Sequence, residues 1–534
     1  MKAAGALLLA ALAAVAVAGD LLVRIELKSD ADIGTAISSG ADFLGRFDGW
    51  FLVRAHVDKL AALSNWLNCR TLDADIEGKR YVYATTGPRF DRQRLAGCGV
   101  VLTEDREGAL LRVNADGLRK LTTMPVELCG VSTSPPAIVR QTARTAYRAP
   151  QTARPVSDSL IWVLMSRASQ DSAEAVLRRL IAFRTRYALG ESCWAASNWF
   201  RERLVGYGCD PTWLDTFQIP DLGPNVNIVG VKRGQVNPNR IYIVCGHIDC
   251  TSQWGVPETL APGSDDNASG CGLVLEAARM FQGVEFDCTV WFIGFGAEEW
   301  GLVGSDSFVR ACRERGDTVV LAINHDMNSY GTGGRDSIRV VGKRSDPPCS
   351  TWVEYYMAMA DTFTDLKCHR EIVDDQWSSD QHSFWAYGYA AIRDRYLDRN
   401  PVYHTTGDTI GPYLYYDCGT NNIPMYTEAI KATVATIAKL AGAHPESTGV
   451  AELRPVMVKP ALHITPSVGH APVLVHISSA APGVSVYNAA GSLIRILSGS
   501  PLVWDGCDFS GAAVSPGVYY FRAAGASARF VLAR

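Results

Sequence analysis

Hydrophobic and polar positions change texture four times along this 534-residue chain. Between residues 20 and 130 the pattern Leu52-Val53-Arg54, then Asp58, Leu60 and Leu63, returns as Leu110-Leu111-Arg112, then Asp116, Leu118 and Leu121, with a constant offset of 58. Each copy reads as an alternating strand followed by a short amphipathic helix, which predicts a small α+β domain of two similar halves. Nothing in it groups His, Cys and carboxylates as a reactive site would. From Ser134 to Pro155 the chain turns to Ser, Thr, Pro, Arg and Gln, the composition of a solvated linker. Residues 156–445 alternate apolar runs at Ile241 to Val244, Thr289 to Phe295 and Val319 to Ile323 with helical patterns such as Ser269 to Phe281. That alternation predicts an α/β fold, a mostly parallel sheet with helices on both faces. Beyond Gly449, short alternating runs at Val473 to Ile477, Leu493 to Leu497, Val518 to Phe521 and Phe530 to Leu532 are separated by turn residues, the pattern of an all-β sandwich.

Composition narrows the class. With 47% hydrophobic and 20% charged residues the chain is too apolar to be disordered, and too long for one core. A net charge of -4 gives no basic field of the kind that draws proteins to nucleic acid. Lys2 precedes an apolar run from Ala3 to Val15 that ends in Ala16-Val17-Ala18, which reads as a secretory signal peptide over residues 1–18 and predicts a secreted or cell-surface protein. No later run is long enough to cross a bilayer. Export permits disulfides among the 14 cysteines, whose pairing the sequence does not specify. The expected division is signal peptide 1–18, N-terminal α+β domain 19–133, linker 134–155, catalytic domain 156–445 and β-sandwich 450–534. A removable propeptide and a permanent accessory domain both fit the N-terminal segment.

Candidate chemistry sits where strands of the third region end, because loops there converge on one crevice in an open α/β sheet. The first of these runs leads into Gly246-His247-Ile248-Asp249, and a loop follows to Asp265-Asp266-Asn267-Ala268-Ser269-Gly270 ahead of a helix. Next come Ala297-Glu298-Glu299-Trp300-Gly301-Leu302, His325-Asp326-Met327, and Tyr403-His404-Thr405-Thr406-Gly407-Asp408. Imidazoles with several carboxylates form a borderline N/O ligand set that suits zinc rather than a calcium cage or an iron-sulfur cluster. A pair of divalent ions bridged by a carboxylate would activate water and polarise a carbonyl, which is hydrolytic chemistry. The adjacent Glu298 and Glu299 can divide ligation and proton transfer between them.

In this order the five motifs resemble the di-zinc peptidases of family M28, the type of the bacterial secreted aminopeptidases, over about 250 to 290 residues. The resemblance implies two zinc ions per chain, with His247 and Asp326 on one, Glu299 and His404 on the other, and Asp266 bridging them. It further implies Glu298 as general base toward the bridging water and Asp249 as the carboxylate that orients His247. The implied activity is that of a zinc exopeptidase acting on peptides or proteins, most simply at their N-termini. A carboxypeptidase, a glutaminyl cyclase or a catalytically silent binding module of the same fold are the alternatives. One stretch departs from the family: Asp374 to His382 has no cysteine pair and no Tyr at the expected place, and Gln381 splits the usual Ser-Asp-His triplet, so the donor to the oxyanion stays open. Trp377, Phe384, Trp385 and Tyr387 read either as an apolar substrate pocket or as core, and Asn267-Ala268-Ser269 scans as a glycosylation sequon expected to be silent.

The C-terminal segment has a resemblance of its own. Val486 to Gly491, Val503-Trp504-Asp505-Gly506 and Ser515 to Phe521 look like the immunoglobulin-like repeat of flagellar hook-capping proteins. Such domains serve as sorting or anchoring tails on secreted hydrolases, which implies secretion or cell-surface machinery as a partner; a plain accessory sandwich is the alternative.

Overall fold

The computed structural model describes residues 19–446 apart from 88–89, 134–155, 254–255, 332–336, 345–348, 375–378, 398–399, 411, 414–415 and 420, and residues 462–533 apart from 466–467, 470–472, 478–483, 490–491, 498–501, 509 and 524–525. The expected signal peptide and linker, and Trp377, lie outside the described residues. The chain divides into two compact units, 1–447 and 448–534.

The two sequence repeats build two sheets of one topology. Strands β1 (Asp20–Glu26), β2 (Asp42–Phe47), β3 (Trp50–His56) and β4 (Cys69–Asp73) lie in the order β2-β3-β1-β4, while β5 (Arg80–Thr86), β6 (Gly99–Glu104), β7 (Gly108–Val113) and β8 (Val126–Val131) lie in the order β6-β7-β5-β8. In each, the repeated motif forms the end of a strand and the helix that follows, Val57–Ser64 or Ala115–Leu121. His56 caps the first of these helices, and Asn114 caps the second with its side-chain oxygen on Gly117 N. The sheets share a core in which Leu22, Phe47, Trp50 and Leu52 meet Tyr81, Tyr83, Leu110 and Val131.

The large sheet holds β9 (Thr212–Ile219), β10 (Gly223–Lys232), β11 (Asn237–His247), β13 (Cys288–Phe295), β14 (Thr318–His325), β15 (Ser337–Lys343), β16 (Lys367–Val373) and β17 (Ala391–Tyr396), in the order β16-β15-β17-β14-β11-β13-β10-β9. The short β12 (Val284–Phe286) pairs instead with Ala443–Pro445. The run β13-β11-β14-β17 is parallel, and β9, β10 and β15 attach antiparallel at its flanks. Both faces are covered, as the alternation of side chains along β13 shows. On one face Phe292 meets Phe281 at 6.3 Å between ring centroids; on the other, Trp291 and Phe295 meet Phe308 at 5.7 and 5.8 Å. Helix Gln170–Ile181 illustrates the local logic: Ser169 caps its first turn, and Ala173, Val176, Leu177 and Leu180, spaced three or four apart, are its buried face. Phe384, Trp385 and Tyr387 belong to this core, with Trp385 Nε1 donating to Ala391 O at 3.0 Å and the Tyr387 hydroxyl donating to Asp306 at 2.8 Å. They are packing residues and line no substrate pocket.

Three of the parallel strands end together: β11 at His247, β13 at Phe295 and β14 at His325. Their following loops therefore open on one edge of the sheet.

The second unit contains a three-stranded and a five-stranded sheet. Trp504 is fully buried there against Tyr519, Phe521 and Phe530, at 4.8, 5.4 and 6.1 Å between centroids.

Candidate active site

All seven residues singled out in the sequence gather at that edge. His247 is the last residue of β11, and its Nε2 stands 3.3 Å from Asp266 Oδ1, 3.5 Å from Asp326 Oδ1 and 4.0 Å from Glu298 Oε2. His404, from a distant loop, places Nε2 2.9 Å from both Asp266 Oδ2 and Glu299 Oε2. The two oxygens of Asp266 thus face two different imidazoles, the geometry of a bridging carboxylate. The ligand atoms of His247, Glu298 and Asp326 lie within 4.8 Å of one another, as do those of His247, Asp266 and Glu299.

The structure separates the neighbours Asp265 and Asp266. Asp265 Oδ1 accepts from Ser329 N (3.0 Å), Ser329 Oγ (2.8 Å) and Tyr330 N (3.0 Å), and its Oδ2 accepts from Asn400 Nδ2 (3.1 Å), so its capacity is spent on structure. Asp266 Oδ2, by contrast, is buried without a hydrogen bond, as are Glu299 Oε1 and Asp326 Oδ1. Orphaned carboxylate oxygens in a dry site call for a cation. Together with two imidazoles they form the mixed N/O set that fits zinc.

Charge state follows from the same crowding. Burial works against ionised Asp266, but His247 and His404 hold it well below the usual carboxylate range. Burial pushes Glu299 up to about 7 against the pull of His404, and pushes Glu298 well above the ordinary range. Burial alone would depress His247; the carboxylates around it, Glu298 first, raise it instead.

Beside the orienting role that the resemblance implies for it, Asp249 does a second job. Its carboxylate is 3.6 Å from His247 Nδ1, which also meets the Asp249 backbone oxygen at 3.1 Å. The carboxylate oxygens accept the backbone N–H groups of Glu298 (3.0 Å) and Glu299 (3.2 Å) and so fix the Glu-Glu turn. Gln253 Nε2 meets His404 Nδ1 at 2.6 Å, an amide N–H donating to the ring nitrogen and holding the imidazole in place.

Several supporting residues were not singled out in the sequence. Arg393 pairs with Asp326 Oδ2 at 2.9 Å from the end of β17. Arg186, almost wholly buried, donates to the carbonyls of Ile248, Pro262 and Gly263 at 2.8 Å each and staples the loop between His247 and Asp266. Asp408 accepts the backbone N–H groups of Asp265 (2.9 Å) and Asp266 (3.0 Å). Asn267 is buried with Nδ2 donating to His325 O at 2.9 Å. Gly270 follows because a Cβ there would stand 2.0 Å from the same carbonyl. Ala297, Met327 and His404 sit at φ of 55°, 63° and 53°, left-handed backbone that concentrates where function over-determines the chain. The N-terminal sheets, in which the sequence showed no site, supply Glu127 and Leu128 to the same cavity of about 200 Å³.

This fold gathers a mixed imidazole and carboxylate set suited to zinc at one edge of an α/β sheet. Residues 227–414 match the family model of peptidase family M28. A probable zinc metalloprotease of Pyricularia oryzae is 29% identical over 179 residues, 30% of this chain and 36% of the relative; a probable leucine aminopeptidase of Arthroderma otae is 25% identical over 315 residues, 57% and 82%. This chain spans 36–42% of the length of the first curated relatives it matches. Among solved structures, the Legionella pneumophila LapA aminopeptidase aligns with a TM-score of 0.52 at 19% identity, covering 68% of this chain and 98% of that one, a likeness of fold.

Proposed function

We propose that the protein is an exported zinc-dependent aminopeptidase that removes N-terminal residues from peptides. The observation that carries this reading is Asp266, whose two oxygens face His247 and His404, with Oδ2 buried without a hydrogen bond, beside a fully satisfied Asp265. His247 and Asp326 would hold one zinc, Glu299 and His404 the other, and Asp266 both. Zinc, when bound, supplies Lewis-acid polarisation of the scissile carbonyl and lowers the pKa of the attacking water. Glu298, half-buried beside the cluster and held by the Asp249 clamp on its backbone, takes the proton of that water and returns it to the leaving amine. Arg393 keeps Asp326 anionic, and Tyr396 and Tyr403, which line the cavity, supply hydroxyls toward the developing oxyanion in place of the Tyr missing from 374–382.

The test is metal content per chain together with hydrolysis of amino-acid p-nitroanilides and their N-acetylated counterparts, before and after chelation. About two zinc ions and chelator-sensitive cleavage of free amines alone support the reading. Cleavage of blocked substrates, or ring closure of N-terminal glutamine in place of cleavage, overturns it. Export by residues 1–18 is tested by the N-terminal sequence of the protein recovered outside the cell, and a sorting or anchoring role for 450–534 by whether deleting that segment moves the protein between the cell surface and the medium.

A further inference from the structure

The cavity beside the ligand cluster has one wall that belongs to the N-terminal sheets. Glu127 and Leu128, consecutive on β8, line the same space as His247, Glu298, Asp326 and His404. Strand β8 is the edge of its sheet, and Gly130 N on it donates to Gly301 O in the loop after Glu299 at 3.0 Å. A Cβ on Gly130 would stand 2.7 Å from that oxygen and one on Gly301 2.9 Å from Gly130 N, so the two backbones meet at a distance that only glycine permits. Behind the wall, Leu118, Leu121 and Val126 share one core with Tyr187, Phe217 and Trp300. Thr251 Oγ1 also donates to Thr122 O at 2.9 Å.

The wall is firmly built, yet it leaves the space open. The Glu127 carboxylate makes no hydrogen bond or ion pair among the described residues, and it stands outside the ligand clusters. Its charge is felt by Arg393, Tyr396 and Tyr403 across the cavity. A segment that merely plugged the site would fill this space and spend its carboxylate on the site residues. The acids of the ligand set are committed to metal, so a peptide's ammonium group entering the cavity needs a separate counter-charge.

We propose that β8 is part of the substrate site and that Glu127 receives the α-ammonium group of the peptide's first residue. This rests on the aminopeptidase reading above and makes the N-terminal sheets a permanent part of the enzyme.

The experiment compares the full-length zinc-loaded protein with its Glu127→Gln variant on leucine p-nitroanilide and N-acetyl-leucine p-nitroanilide. Calorimetry measures the binding of leucinol, which carries the ammonium group but no scissile bond. Expected is a fall of about 10- to 100-fold in kcat/KM on the free amine, carried by KM, with a matching loss of leucinol affinity and of discrimination against the acetylated substrate. Zinc content and melting temperature stay at the parent's values. Unchanged constants overturn the proposal, and a rise overturns it in favour of an inhibitory contact. A parent protein that binds zinc but cleaves neither substrate removes the aminopeptidase reading; leucinol binding that then depends on Glu127 retains ammonium recognition by a non-hydrolytic site, and binding indifferent to Glu127 ends both.

Discussion

The two halves of the N-terminal segment share one strand order and one repeated motif, but they bury different things. In the first half, Leu21, Val23, Ile25, Ala36, Phe51, Val53 and Leu63 form a core from that half alone. In the second, the equivalent helix and strands close on Tyr187, Phe217, Ile219 and Trp300 from outside the N-terminal sheets. The strand at the same place in each sheet order, β4 or β8, ends as an ordinary edge in one case and as a wall of the candidate site in the other. A duplicated fold thus acquires function by what it docks against rather than by its topology.

Four experiments on six variants would break or sharpen that contrast. Glu298→Gln sets the scale: turnover should fall about 10²- to 10⁴-fold with zinc content unchanged, read by steady-state kinetics beside metal analysis. A loss of that size from any change confined to the first half would end the distinction. Asp266→Asn should bind less than one zinc per chain and lose activity with it, whereas Asp265→Asn should keep its zinc and melt at lower temperature, because only the hydrogen bonds to Ser329, Tyr330 and Asn400 are weakened. Normal zinc in Asp266→Asn would move the bridge to its neighbour.

Leu121→Ala and Phe51→Ala each remove a buried side chain and should each cost about 2–5 kcal/mol in unfolding free energy. Only Leu121→Ala should also raise KM for free-amine substrates, and equal KM values in the two variants would show that the halves are interchangeable. The smallest effect concerns Asp73, which ties the halves together through Arg112 (2.6 Å) and the Tyr81 hydroxyl (2.9 Å). Burial opposes its ionisation, but Arg112, Tyr81 and Lys79 hold its pKa below the ordinary value of 3.8. A depressed carboxylate contributes stability that is present above the unfolded pKa and is lost as pH falls through the folded one. Melting temperature should therefore decline more steeply below about pH 4 in the parent than in Asp73→Asn. Parallel curves would show that the pair contributes nothing measurable, as exposed pairs often do.

Much of the large α/β sheet was legible in the chain, since strands buried on two faces read as apolar runs and their polar punctuation marks where loops begin. The runs at Ile241 to Val244, Thr289 to Phe295 and Val319 to Ile323 lie inside β11, β13 and β14, and the helix expected over Ser269 to Phe281 is Gly270–Met280. Asp249 was legible as a site residue beside His247, but its second set of partners, the backbone N–H groups of Glu298 and Glu299 about 50 residues away, was not. Arg393 and Arg186 gave no signal, because an arginine in a polar-looking stretch reads as solvated until its partners are known. The aromatic cluster Phe384, Trp385 and Tyr387 was ambiguous by composition and proved to be core, since neighbouring residues on one short helix can all be enclosed by the sheet and the helix Val303–Arg315.

Local patterning by itself determined the α/β alternation, the duplicated N-terminal motif and the set of imidazoles and carboxylates available to a metal, because each depends on periodicity or on residue identity within a short window. Tertiary structure alone decided which of two adjacent aspartates keeps free oxygens, what Asp249 holds, and that Glu127 faces the cavity. On β8 the run Val126-Glu127-Leu128 is only a strand with one polar position. The direction that position faces gains meaning when non-local packing of Leu121 against Trp300, and the approach of Gly130 to Gly301, bring a separate sheet against the site. Those contacts are long-range in sequence, and no local pattern encodes them.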